Sequence, residues 1–524
     1  MHFVMPKCII FVNSYEAKRV MVKEGKGTEK QNGYERAIKY MGVFGGTQSF
    51  SILLGIVKTK FAAKLLGASG LGMIAMYNRT LQMLADFTNL SLSFSAVRQI
   101  AEAYDDGDEV RLLHWIKVLR SWAFLTAVVG VLVSLLLSPF LGEFVFEGHD
   151  YYTSRFFLLS PVVGFMAITG SELAILKGVH RLYKVAMYTL WTSILGLVIS
   201  VPLYYFMNTA GIFPAIFLVA LLQMVVLLAY STPIYKYRIS PFSREVLRDG
   251  LDMVKFGVGY IIAAMMGSGS MWLVCKALID IGNDKIVGFF STGYFLMNLL
   301  PGILFAAIDS DFYPRLSASN KDRTLANRLV NEQAEVQLLI QAPMLMVYTM
   351  VLPLLVPLFY DYELMAAVPM TQAAMYGMLV RTMTYPMSYL PLSRGNSKVY
   401  MLQEGIYDLL FLLFVVVGYT TAGLLGVGVA MAAVLVADWF VVYAITGYKY
   451  SFRFTSNVYV GFGLQTLLFM LLVAVTHIYK GEWHYWICGF VCVGLSTLLS
   501  FYMLSKRMGY VERLLNRVKR LLRW

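Results

Sequence analysis

The sequence predicts an all-α polytopic membrane protein with about fourteen transmembrane helices, and three observations lead there. The 524 residues are 58% apolar and only 14% charged, with mean hydropathy +0.64, whereas a soluble domain carries about 25% charged residues. Fourteen windows supply the ~20 mostly apolar residues that a spanning helix needs. The Lys and Arg residues collect in alternate connections between those windows.

In chain order, the opening "MHFVMPKCIIFVNSYEAKRVMVKEGKGTEKQ" has a short, broken apolar run with no small-residue cleavage site after it. Residues 1–35 therefore read as a polar cytoplasmic lead. The expected spans are 38–63, 70–96, 119–141, 154–176, 186–207, 210–232, 252–276, 286–312, 333–358, 366–391, 400–421, 424–446, 456–478 and 484–505. The turns "NTAG" and "TAG" are so short that spans five and six, and eleven and twelve, must form tight antiparallel hairpins. The expected organisation is an N-terminal lobe over 36–235, a cytoplasmic linker at 236–250 and a C-terminal lobe over 251–447. An added helix pair occupies 448–505, and a basic amphipathic helix occupies 506–524. That last segment spaces Val511, Leu514, Leu515, Val518 and Leu522 at helical period with Arg and Lys opposite, as an interfacial anchor would.

With the N-terminus inside, 35 of the 44 Lys and Arg lie on the cytoplasmic side and 5 on the opposite side or its helix ends. Both termini are then cytoplasmic. The net charge of +13 follows from this asymmetry and does not require nucleic acid. The outer loops, such as "GEFVFEGHDYY" and "FYDYELMAA", are too short to hold a catalytic domain. The four cysteines (Cys8, Cys275, Cys488, Cys492) and the scattered histidines show no metal-ligand spacing, and no phosphate loop or nucleophile motif is present. No catalytic residue, metal site or resident cofactor is expected.

The segment "LLGIVKTKFAAKLLGASGLG" places Lys58, Lys60 and Lys64 in an apolar helix, where a charge at mid-bilayer costs at least about 2.5–3.5 kcal/mol. Helical phase divides them. Lys60 and Lys64 share a face with Leu53, Ile56, Val57 and Phe61, and reach the outer headgroups. Lys58 lies on a small, polar stripe of Thr47, Gln48, Ser51, Gly55 and Ala62, which faces a cavity or a partner helix.

Three more spans carry such stripes: Gly72, Ala75, Arg79, Gln82, Asp86 and Ser93; Ser291, Asn298, Gly302 and Asp309; Gly377, Arg381, Thr384 and Ser388. Arg79 and Asp86 are two turns apart, about 10.5 Å, too far for a direct pair. Glu172 reads as an interface carboxylate paired with Lys177 or Arg181. Residues 64–90 can be laid on 276–303 as a weak internal repeat, as in transporters built from two halves. Together the stripes describe a hydrated, cationic cavity suited to a phosphate or diphosphate.

"GIVKTKFAAKLLGASGLGMIAMYNRTLQMLADFTNLSLSFSAVRQIAEAY" (55–104) resembles the opening helices of Wzx-type O-antigen flippases of the MOP (multidrug/oligosaccharidyl-lipid/polysaccharide) exporter superfamily. So do stretches at 174–205, 309–317 and 393–432. The resemblance implies a MATE-like, two-lobed, V-shaped fold with alternating access, and transport of an undecaprenyl-diphosphate-linked oligosaccharide to the outer leaflet. "LGIVK" places Lys58 where lipid II flippases carry a basic residue. Thr59 stands where they have an acid, and Phe295 where they have a second basic residue, so their diphosphate site does not transfer whole.

The expected function is a lipid-linked oligosaccharide flippase of a bacterial inner membrane, serving O-antigen, common antigen or another surface polysaccharide. Lys58, Arg79 and Arg381 are expected to bind diphosphate, and Ser51, Gln82, Asn298 and Thr384 to bind sugar. Asp86 and Asp309 are expected to bind a coupling H⁺ or Na⁺ or to balance charge. A polysaccharide polymerase and a chain-length regulator are the expected protein partners. A MATE-like drug/cation antiporter is the alternative, which predicts an acidic cavity instead.

Overall fold

A computed structural model of the chain describes residues 29–90, 92–146, 150–319, 322–479 and 483–507. These contain thirteen α-helices and no strand. They are α1 (Glu29–Thr88), α2 (Leu92–Asp106), α3 (Glu109–Phe146), α4 (Asp150–Gly178), α5 (Leu182–Met207), α6 (Ile212–Ser231), α7 (Arg244–Ile281), α8 (Asp284–Ala318), α9 (Arg323–Phe359), α10 (Val368–Ser393), α11 (Ser397–Tyr450), α12 (Ser456–Ile478) and α13 (Trp483–Arg507). Nearly all of the expected 1–35 lead and of the 506–524 amphipathic helix lies outside the described residues.

Two helices are bent into two arms. α1 breaks at Gly67, with φ 69° and ψ −172°, a backbone region essentially reserved for glycine. α11 breaks at Ala422 and Gly423, where Gly423 has φ 58°. With α2 set aside as too short to cross ~30 Å at 1.5 Å per residue, the described residues hold fourteen arms of spanning length.

Among the described residues, eight helical stretches are also apolar enough by composition to cross a membrane, two of them, 183–231 and 398–450, holding two arms each.

The second span differs from expectation. It ends at Thr88 instead of 96, and a separate 15-residue helix, α2, begins at Leu92. Leu90 takes a positive φ of 50° in the turn. α2 is amphipathic: it buries Leu92, Ala96, Val97, Ile100 and Ala103 against Leu112, Ile116, Leu119, Ile175, Val179 and Met253. Arg98 and Glu102 pair on its exposed face at 2.8 Å.

The chain falls into two compact units. The first runs to Gly288 and takes in Phe359–Glu363; the second comprises Phe289–Leu358 and the residues from Leu364 onward. The division does not fall at 236–250, because α7 packs with the first unit, against α1, α2 and α3. Within that unit α1 also lies along α5, α3 along α4, and α6 against α4 and α5. The segment after α6 is docked onto α3: Ser240 N–H donates to Ser121 Oγ at 2.8 Å, and Trp122 Nε1 donates to Val246 O at 3.0 Å.

In the second unit α10 packs along α11 and against α12, and α12 pairs with α13. The Tyr348 hydroxyl of α9 donates to Leu296 O of α8 at 3.0 Å, and the Tyr485 hydroxyl of α13 donates to Met350 O of α9 at 2.6 Å. α9 is thereby tied to two neighbours through backbone carbonyls.

Candidate functional site

The first arm of α1 exposes Lys60 and Lys64 together with Leu53, Val57 and Phe61, while Ile56 is buried. Lys58 is half-buried on another side of the arm. A Cβ added to Gly196 of α5 would lie 3.8 Å from Lys58 Nζ, so the ammonium stands against α5. Lys58 makes no ion pair among the described residues. Ser51, two turns earlier, is buried, and its Oγ has no hydrogen-bond partner.

The second arm of α1 presents its polar stripe to α7. Gln82 Nε2 donates to Asp86 Oδ1 at 2.9 Å, and Ser268 of α7 lies near the same carboxylate while its hydroxyl donates to Met265 O at 3.4 Å. One turn and two turns further along α7, Trp272 Nε1 donates to Thr80 Oγ1 at 2.9 Å, and Cys275 lies within electrostatic range of Arg79. Asp86 thus has a partner other than Arg79, as the two-turn spacing requires. The described contacts do not join Lys58 to Arg79: one arm turns its cation to α5 and the other to α7.

In the second unit, Arg381 of α10 is half-buried, with its guanidinium 5.9 Å from the centroid of the Phe305 ring. It lies within electrostatic range of Tyr407 and Asp438, on the two arms of α11. Glu404 acts on Asp438 and on Asp408. Thr384 is buried, and its Oγ1 has no hydrogen-bond partner. Asn298 Nδ2 is already bonded to Tyr294 O of its own helix at 2.8 Å. The side chains of Asp309 and Gln48 lie outside the described ones.

Several polar groups outside the polar stripes hold positions of consequence. Asp408 and Asp438 sit inside an otherwise apolar helix pair, and that setting was their one sequence signal. Glu172 is bound by neither Lys177 nor Arg181. Arg120 of α3 takes it from across the helix pair, with Nε and Nη2 bonds of 2.7 and 2.8 Å. Arg120 Nη1 also donates to Tyr235 O and Lys236 O, both at 3.0 Å, and the Tyr237 ring centroid lies 4.8 Å from the guanidinium.

At the bend of α1, Glu363 accepts from Ala68 N–H at 2.9 Å and forms an ion pair with Lys285. The Lys285 hydrogen bond, followed by the Ala68 one, holds the Glu363 carboxyl below its ordinary range. His114, together with Glu245 and Asp249 one turn apart in α7, brings ligand atoms within 4.8 Å of one another. His114 Nε2 is already hydrogen-bonded to Asp249 Oδ2 at 2.7 Å, an arrangement complete without an ion.

These features, namely long helices in two units and cations inside the polar spans, meet a family assignment. A family model described as "Polysaccharide biosynthesis protein" matches residues 39–320, more than half of the chain. The chain belongs to the polysaccharide biosynthesis protein family. A comparison with curated protein sequences finds no match. Among solved structures, this family member resembles lipid II flippase MurJ in an inward closed conformation, with TM-score 0.64 and 14% identity over 89% of this chain and 99% of that one. It also resembles an inward-facing multidrug resistance MATE transporter of the MOP superfamily, with TM-score 0.62 and 14% identity over 76% of this chain and 94% of that one. A third is a MOP superfamily transporter from Pyrococcus furiosus, reported with a reversed binding-pocket polarity, with TM-score 0.57 and 12% identity over 86% of this chain and 99% of that one. The family member is a multi-pass membrane protein with the MATE-like transporter fold.

Proposed function

We propose that this protein flips an undecaprenyl-diphosphate-linked oligosaccharide from the cytoplasmic to the periplasmic leaflet of a bacterial inner membrane. The observation that carries the reading is Lys58, a cation inside a spanning arm, set against α5 and without an ion pair among the described residues. An intramembrane charge is retained at a cost of at least about 2.5–3.5 kcal/mol, and such residues mark substrate paths. Its ligand is then an anion, and the diphosphate supplies one. Arg79 in the first unit and Arg381 in the second are further cations inside spans, and Ser51 and Thr384 carry buried hydroxyls without a hydrogen-bond partner, suited to sugar. Gln82 and Asn298 are weaker sugar ligands, since each already bonds within its own helix.

Both termini lie in the cytoplasm in this reading, and the protein delivers its cargo to a polymerase working with a chain-length regulator. Membership of a polysaccharide biosynthesis family and the likeness to a lipid II flippase support a lipid-linked glycan. Transport of a fluorescent polyprenyl-diphosphate glycan in proteoliposomes, scored by outer-leaflet accessibility, tests the proposal. Equal rates in empty and protein-containing vesicles reject it.

Coupling to H⁺ or Na⁺ belongs to the same proposal. Asp438 is the better candidate than Asp86, whose carboxylate is engaged by Gln82. The Glu404, Asp408 and Asp438 group also favours a second reading, a MATE-like drug/cation antiporter. Ethidium efflux that depends on Asp438, with no glycan transport, would select it.

A further inference from the structure

Arg394 follows α10, just before α11, and its guanidinium is unusually placed. Nε and Nη2 are both buried, and neither donates a hydrogen bond. These two nitrogens form the edge with which Arg grips carboxylate or phosphate at two points. The face of the same guanidinium lies 4.9 Å from the centroid of the Tyr450 ring, so its orientation is held while its edge stays unused.

A second cation is brought to the same place by the fold. Asn327, in the first turns of α9, donates through Nδ2 to Ser451 O at 3.1 Å, just after Tyr450. Arg323 stands four residues earlier on the same helix and acts electrostatically on Arg394, and among the described residues no Asp or Glu does so. Burial first, and then the Arg323 charge, lowers the Arg394 pKa from its ordinary value. α11 also starts here at Asn396 without a side-chain cap, so its first N–H groups add to the positive end. Two guanidinium groups within electrostatic range, one with a desolvated and unsatisfied edge, are costly unless an anion joins them.

We propose that Arg394 and Arg323 form a binding site for a phosphate-bearing anion at this end of the second unit. Either a membrane-lipid headgroup or a diphosphate group supplies that chemistry. Arg394 provides the two-point contact, Arg323 the second charge, and Tyr450 the wall that fixes the geometry. The site is independent of the flippase reading and of Lys58.

The test uses the full chain purified in detergent, titrated in separate arms with inorganic pyrophosphate and with short-chain phosphatidylglycerol. Short-chain phosphatidylcholine is the control, and the midpoint of thermal unfolding is the readout. At least one anion should raise the midpoint saturably where phosphatidylcholine does not. Arg394→Gln and Arg323→Gln should each weaken the apparent affinity at least fivefold. A response to pyrophosphate assigns the site to a diphosphate, and a response to phosphatidylglycerol alone assigns it to a headgroup. No response to either anion, or an unchanged response in Arg394→Gln, overturns the proposal. If Arg394→Gln does not fold, Arg323→Gln decides by the same criterion.

Discussion

Arg120 and Glu172 face each other across α3 and α4 through two bonds of 2.7 and 2.8 Å, with both side chains entirely out of solvent. The remaining Arg120 nitrogen holds the backbone at Tyr235 and Lys236. One buried guanidinium thus locks two helices and the segment leading to α7. Removing one partner of a buried pair typically costs about 3–5 kcal/mol, because it strands the other charge. Glu172→Ala and Arg120→Ala should each lower the unfolding midpoint sharply and cut membrane yield. Glu172→Leu combined with Arg120→Met should be milder than either single change. A Glu172→Ala protein with unchanged stability would contradict the pairing.

Lys58 and its two neighbours offer a contrast within one helix. Loss of a charge-assisted contact is worth about 1.5–3 kcal/mol, which corresponds to roughly tenfold or more in affinity. Lys58→Ala should therefore reduce glycan transport by about that factor, with Lys58→Arg retaining part of it. Lys60→Ala and Lys64→Ala, changes at exposed positions, should transport normally. Three equal defects would mean that the lysines act together.

How much of this was legible in the sequence depends on the range of the interaction. The spans were, because about 20 apolar residues in a row is a local signal. The division of the α1 lysines was too, since helical phase alone separates Lys58 from Lys60 and Lys64. The α2 break was not, because its amphipathic run continues directly from an apolar span and Leu90 is no turn former. Nor were the partners of Glu172, 52 residues away, or Glu363, 295 residues from Ala68. Local periodicity carries no information on which helices meet. Asp438 shows the same limit, since only the folding of α11 onto α10 gives it Arg381 for company.

Gly67 should resist substitution. Its φ of 69° and ψ of −172° cost a residue with a Cβ about 1–3 kcal/mol. A Cβ there would also approach Glu363 Oε2 at 3.3 Å. Gly67→Ala should lower the unfolding midpoint, whereas Gly55→Ala, with open space around it, should not. Equal stability of the two variants would show that the bend is not fixed by the glycine.

Glu363 gives a pH dependence whose sign is set by its partners. Its carboxyl pKa is depressed in the fold by Lys285 and the Ala68 amide. The stabilisation is therefore complete above the ordinary carboxylate range and is lost as pH falls through that range and below it. Protein stability measured from pH 7 down to pH 3 should fall faster in the wild type than in Glu363→Gln. The protection of the Ala68 amide, taken relative to its intrinsic exchange rate at each pH, should fall in the same interval. Parallel pH curves for the two proteins would remove Glu363 from the account.

Asp438 differs from Asp86 in one respect that energy coupling would exploit. Asp86 has a hydrogen-bond donor in Gln82, whereas Asp438 makes no hydrogen bond among the described residues. A carboxylate inside a span is stable when protonated, paired or bound to a cation. Asp438 lies between the opposing fields of Arg381 and Glu404, so uptake or loss of one positive charge alters what Arg381 can offer to an anionic ligand. Asp438→Asn should remove the response of transport to an imposed H⁺ or Na⁺ gradient while leaving glycan binding measurable. Asp86→Asn should keep that response, because the amide oxygen can still accept from Gln82. Gradient-driven transport that survives in Asp438→Asn and vanishes in Asp86→Asn would move the coupling site to the first unit.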